Sequence, residues 1–495
     1  MMLTKLKETN QPLLYLSGTF GFLFLIVSFA FPALFREKLG AWTEFTLGYF
    51  GQYYLYFGFL VIMMMLVLAV SKTGKVRLGN SDPEYKWFSW VAMLYSTGMG
   101  AGLMLRAVQE PVYFLINPPS QVSHSNIIYA LQYTFFHWGF TPWAFYGLFG
   151  LIIAYNLYIH KRTILGSAIL EPRFQKTKYK LPIDTLILIS TLFGVVAAVG
   201  LGSRQLSGGL GILFDQLELN VNHTLAIVIV ICSIATFSAY LGVTKGIRNL
   251  SNFNIGLALL LMLFVLLISD FYETFFNFFL AFGNYLRYLV SMSLNLGNQE
   301  VSKTFLTEWT YFYWAFWLAW APFTGVFIAR ISKGRTIREF ILATLIIPAM
   351  GTFLWFSVFG SHAFGLIGET DAYQGQFDSI YQSLFVFFSQ LPFGGWLNVM
   401  SLILIFTFLI TSVDSAIFVL GMFSDQGNEE PGRNYRLFWG FTLTLFTLSV
   451  VFIGQDVLLE AVSQLLILIA LPFSFLFLGM MGFFMFKLYQ NPLKT

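Results

Sequence analysis

Residues 95–104, YSTGMGAGLM, place Gly98, Gly100 and Gly102 at alternate positions inside a run otherwise apolar enough to cross a bilayer. Glycine weakens a helix interior, and three in five residues free backbone groups that hydrocarbon cannot satisfy. Such a stretch survives in a membrane only where protein or a water-lined cavity meets its main chain. It marks either close helix packing or an opening where a solute or ion approaches the backbone. Farther along, residues 312–327, FYWAFWLAWAPFTGVF, carry Pro322 and Gly325 just after Trp314, Trp317 and Trp320, which predicts a second interrupted span. These are the third and eighth apolar runs, so each opens a unit of five. A unit with an odd number of spans re-enters the membrane from the opposite side when repeated, which is the inverted repeat of many secondary transporters, and paired broken helices point to a midplane site.

The surrounding chain supports a membrane assignment. Of 495 residues, 57% are hydrophobic and only 11% charged, too few charges to wet a soluble surface. One cysteine, Cys232, excludes an intrachain disulfide and a cysteine metal cluster. Twelve apolar runs are bounded by Pro, Gly and charge: 12–35, 47–71, 88–117, 126–159, 182–212, 222–243, 250–281, 305–331, 338–366, 393–423, 434–454 and 457–487. No small-residue cleavage site precedes the first, which reads as a retained helix. With the N-terminus inside, most of the 28 Lys and Arg fall in alternate loops on one side. Arg36, Lys38, Arg287 and Lys303 fall opposite, and Arg106 and Arg204 lie within spans. The expected fold is therefore an all-α integral membrane protein of twelve transmembrane helices: two N-terminal helices followed by a five-plus-five inverted repeat, with both termini cytoplasmic. Its parts are 1–87 with the first two helices, 88–281 as the first repeat, 282–304 as an extracellular interfacial connector, 305–487 as the second repeat and 488–495 as a short tail.

Two polar features interrupt this hydrophobic plan. Residues 409–416, LITSVDSA, put Thr411, Ser412, Asp414 and Ser415 in the tenth span. Hydroxyl and carboxylate oxygens are hard ligands suited to an alkali cation, although Ser and Thr also bond back to their own helix. Asp414 is expected to orient a hydroxyl or backbone donor rather than touch an ion. In the fourth span, residues 135–150, FFHWGFTPWAFYGLFG, hold Trp138, Trp143 and Tyr146 in mid-span, away from the membrane interfaces where aromatic belts form. Several aromatic faces turned into one cavity recognise a quaternary ammonium through ring quadrupoles.

The segments GMGAGLM, FHWGFTPWAFYG, YWAFWLAWAPFTGVFIARISKGRTIREFI and ITSVDSA, in that order, resemble the signature segments of the betaine/choline/carnitine transporter family. The resemblance covers nearly the whole chain and implies the leucine-transporter type of inverted-repeat fold, alternating access, onium substrates and a homotrimer in the cell inner membrane. It assigns substrate aromatics to Trp138, Trp143, Tyr146 and Trp317, with Trp320 next on the exit path. Gly98, Met99, Gly100 and Phe316 complete that site. Sodium, the implied coupling ion, would meet main-chain oxygens near Ser96 and Met99 and the hydroxyls of Thr411 and Ser412. A second sodium site would involve Thr191 and Phe323. Asn254 stands where sodium-independent relatives carry a basic residue, which favours sodium coupling. The chain departs from the family pattern at Thr141, Phe316 and the Leu105-Arg106-Ala107 triplet.

The resulting expectation is a sodium symporter importing a betaine-like cationic or zwitterionic solute, with no resident cofactor and no nucleic-acid partner. The alternatives are a sodium-independent exchanger of the same fold and, in a different class, an intramembrane transferase. The latter lacks support because His124, His137, His160, His223 and His362 do not pair at metal-ligand spacing. His137 reads as a hydrogen-bonded helix residue. For Arg106 two expectations stand: an ion pair with Glu110 one turn on, or a place in the outer vestibule attracting the anionic end of a zwitterion.

Overall fold

A computed structural model describes residues 12–98, 100–119, 126–170, 177–214, 219–242, 244–295, 301–368 and 373–490. Helices make up nearly all of it, and an isolated bridge between Arg77 and Thr336 is the β pairing among the described residues. Ten segments are long and apolar enough to span a membrane. The last of these, Arg433–Gln490, contains two helices, and the interrupted 87–116 stretch falls below the length required of a single helix.

The chain begins with α1 (Pro12–Ala30) and α2 (Pro32–Val70). The loop expected between the first two runs is helical: Pro32 starts α2, and nothing breaks it for 39 residues, about 58 Å of helix. Arg36, Glu37 and Lys38 are tolerated because they lie on its exposed face. The third run forms three pieces, α3 (Trp87–Gly98), α4 (Ala101–Arg106) and α5 (Gln109–Ile116). The fourth divides at Gly139 into α6 (Asn126–Trp138) and α7 (Phe140–Ala154).

Then come α8 (Thr177–Leu213), α9 (Val221–Leu241), closed by Gly242 at φ 71°, and α10 (Thr244–Ile268). The expected seventh run, 250–281, is cut short at Ile268. Asp270 caps a separate helix, α11 (Phe271–Leu294), by accepting from Glu273 N at 2.8 Å, so the connector starts earlier than the expected 282. The eighth span enters through a π turn at Leu306–Tyr311 and continues as α12 (Phe312–Ile331). Here the sequence expectation of a break at Pro322 and Gly325 is corrected: α12 runs through both. Gly325 serves close packing instead, since a Cβ on Gly150 of α7 would fall 2.8 Å from its carbonyl oxygen. The remaining helices are α13 (Ile337–Ile367), capped by the Thr336–Glu339 box, short α14 (Ser383–Ser389), α15 (Gly394–Ser424), α16 (Arg433–Gly454) and α17 (Leu458–Gln490).

The helix α12 lies at the centre, packed on α7, α8 and α17, and α7 is buried along its length from Thr141 to Ala154. Around them α8 packs on α15, and α9 on α16. The interrupted segment α3–α5 closes the gap between α6, α8, α12 and α15.

Candidate functional site

A cavity of about 90 Å³ opens where α4, α6, α8, α12 and α15 converge. Its floor is the glycine segment: Gly100 caps α4 with φ −147° and ψ −136°, and Gly102 lies 3.4 Å, measured from a Cβ position, from the Trp138 indole. A side chain there would press on the ring. Among the expected substrate residues, Gly100, Trp138, Phe316, Trp317 and Trp320 line the cavity, together with Tyr313 and Arg106. Met99 lies outside the described residues. Gly98 and Ser96 belong to α3, and their surroundings also lie outside what is described.

The rings form a nested set. Trp138 meets Trp317 edge-on at 5.0 Å between centroids, Tyr313 stacks on Trp317 at 5.7 Å, and Phe316 stacks on Trp320 at 6.2 Å. Trp317 is fixed by Nε1 donating to the His137 carbonyl at 2.9 Å. Trp143 and Tyr146 are fully buried, but neither lines this cavity. Tyr146 touches Trp317 edge-on at 6.3 Å, and Trp143 sits behind Tyr146 at 5.6 Å. The break at Gly139 (φ −96°, ψ −122°) separates their helix from that of Trp138, so one helical register does not carry all three rings to one face. Tyr313 was missed by the sequence reading. Its signal was available, because it precedes Trp317 by one turn on the same face.

Behind the rings lies a buried polar network. Glu110 is wholly buried and accepts from Trp138 Nε1 at 3.0 Å and from the Tyr313 hydroxyl, with His137 Nδ1 at 3.3 Å. His137 reaches Thr310 Oγ1 through Nε2 at 3.0 Å, in keeping with a hydrogen-bonded helix residue. The carboxylate thus orients two cavity rings, which no spacing rule indicated. The expected pairing of Arg106 with Glu110 does not form: the turn residues Ala107 and Val108 separate α4 from α5, and Glu110 meets Trp138, Tyr313 and His137 instead. Arg106 instead donates to Gln109 Oε1 at 2.5 Å and lies over Trp309, with its guanidinium carbon 4.8 Å from the ring centre.

On the opposite wall Thr411 and Ser412 line the cavity. A Cβ on Gly100 would stand 3.9 Å from Ser412 Oγ, so the opened third span and the tenth-span hydroxyls are neighbours. Thr411 Oγ1 bonds back to the Phe408 carbonyl at 2.9 Å. Asp414 is turned away, toward Ser238 and Arg436. Thr191, which donates to the Ile187 carbonyl at 2.9 Å, and Phe323 are both buried outside the cavity lining. Each stands about one turn along its helix from the α8–α12 contact, where a Cβ on Gly194 would fall 2.8 Å from the Ala319 carbonyl oxygen.

Comparison with known proteins accords with this architecture. The family model for betaine/carnitine/choline family transporters (BCCT) matches residues 12–493. An ectoine/hydroxyectoine transporter of Virgibacillus pantothenticus is 34% identical, with 98% of each chain covered. A glycine betaine transporter of Bacillus subtilis is 38% identical over 90% of this chain and 87% of its own. A high-affinity choline transport protein of Escherichia coli K12 is 35% identical over 96% of this chain and 71% of its own. With a match along nearly its whole length and relatives that are transporters rather than enzymes, the chain belongs to the betaine/carnitine/choline transporter family.

Proposed function

We propose that the protein imports a betaine-like quaternary-ammonium or related zwitterionic solute by sodium symport with alternating access. The observation that carries this reading is the cavity itself, where Trp138, Tyr313 and Trp317 face the opened glycine segment and the hydroxyls of Thr411 and Ser412. An onium group is too diffuse to accept hydrogen bonds and is held by ring faces, each desolvated contact contributing about 2 kcal/mol. Sodium takes several oxygen ligands. Ser412, Thr411 and main-chain carbonyls of the glycine segment would supply the donor set for it, and a bound ion would draw α15 against that segment. Asn254, in α10, is neutral where the family resemblance puts a basic residue in sodium-independent relatives, which supports sodium coupling.

The transport cycle proposed rests on twelve crossings in the inner membrane, with α3–α10 and α12–α17 as inverted repeats. The packing of α8 on α15, α9 on α16 and α7 on α13 is what a two-fold relation between the fourth, fifth and sixth spans and the ninth, tenth and eleventh would produce. A homotrimer completes the proposal.

Counterflow of glycine betaine in proteoliposomes, with and without sodium, tests it. Uptake should require sodium, and Thr411→Ala with Ser412→Ala should abolish the sodium stimulation. Sodium-dependent uptake that survives the double change would remove these hydroxyls from the ion site.

A further inference from the structure

The cavity has a cationic wall that ring recognition does not use. Arg106 is 5% exposed, yet its side chain lines the cavity. Buried arginines ordinarily meet a carboxylate. Among the described residues none lies within 4.0 Å of this one. Glu110, the nearest candidate along the chain, is committed to Trp138, Tyr313 and His137.

Of five N–H donors, one is used on Gln109. Nε and Nη2 have no hydrogen-bond partner among the described residues, and the side chain borders the cavity. The guanidinium carbon lies 4.8 Å from the Trp309 ring centre and 5.9 Å from that of Tyr313, and a guanidinium is itself a planar fork of the kind that suits a carboxylate. Tyr313 is shared, since it also stacks on Trp317 at 5.7 Å. The cationic fork and the onium-binding rings therefore share Tyr313 as a neighbour and border one cavity. Farther along α8, Arg204 lies 5.9 Å from the Tyr381 ring, and Tyr381 feels the charge of both arginines.

We infer that Arg106 holds the anionic end of the substrate and so sets a preference for carboxylated onium solutes over plain cations such as choline. This rests on the onium-transport reading above. A net cation entering beside a fixed guanidinium gains the rings but meets repulsion. A zwitterion gains both ends.

The test compares three competitors of labelled glycine betaine in counterflow: unlabelled betaine, its methyl ester and choline. The ester removes the carboxylate charge and leaves the trimethylammonium group intact. In the unaltered protein, ester and choline should compete about tenfold or more worse than betaine. Arg106→Gln should erase most of that difference by weakening betaine alone, and Arg106→Lys should restore part of it, with melting temperatures reporting on folding. If the variants do not fold, the acid and ester comparison in the unaltered protein decides. Equal competition by acid and ester, choline uptake without a response to betaine, or equal weakening of all three by Arg106→Gln would overturn the inference while leaving onium transport intact. Failure of every onium solute to move would overturn the functional reading, and this inference with it.

Discussion

Trp317 performs two tasks that its place in the sequence does not separate. Its ring meets Trp138, Tyr313, Phe316 and Tyr146, while its indole N–H anchors the α6 carbonyl at His137. Trp317→Leu keeps much of the bulk and loses the quadrupole, so substrate affinity should fall about tenfold or more, for a contact contributing about 2 kcal/mol. Equilibrium binding of labelled glycine betaine to purified, folded variant checks this, and unchanged affinity would remove Trp317 from the cation site. The mid-span positions of Trp138 and Trp317 were legible from the chain alone. The neighbours of Arg106 were not. Glu110 stands at i+4, yet it is taken up by Trp138 and Tyr313 from helices far along the chain.

Breaks and close approaches decide what each helix does. Alternate glycines correctly marked the opening of the third run, because three missing side chains in five residues weaken a helix whatever surrounds them. Pro322 and Gly325 misled, since neighbouring helices can satisfy the backbone groups a proline frees, and α12 continues through both. At Gly325 the neighbour is α7. A methyl on Gly150 would stand 2.8 Å from the Gly325 carbonyl and 3.3 Å from its Cα, both rigid backbone atoms. Gly150→Ala should therefore force α7 and α12 apart and lower stability by about 1 to 3 kcal/mol. Gly395→Ala, where no atom lies within 4 Å, should leave the melting temperature in detergent nearly unchanged. Similar melting of the two variants would show that the α7–α12 crossing tolerates a side chain.

At the scale of the whole molecule the chain supplies a clean background for measuring orientation by cysteine labelling, because its one cysteine, Cys232, is buried. Exposed positions Lys303 and Glu430 lie before α12 and after α15, three crossings apart in the twelve-span proposal. Lys303→Cys should react with an impermeant maleimide in intact cells, and Glu430→Cys only after the membrane is opened. Labelling of both from one side would break the proposed topology. Hydropathy, charge placement and local helix breakers are properties of neighbouring residues, so the sequence by itself determined the membrane setting, the helical class, the family and the segments bordering the site. Tertiary structure alone decided which rings enter the cavity, that Glu110 binds Tyr313, that Gly150 meets Gly325 and that Asp414 turns away from it. Each of these depends on contacts between helices far apart in the chain, where rotation about the helix axis by one residue changes the partner.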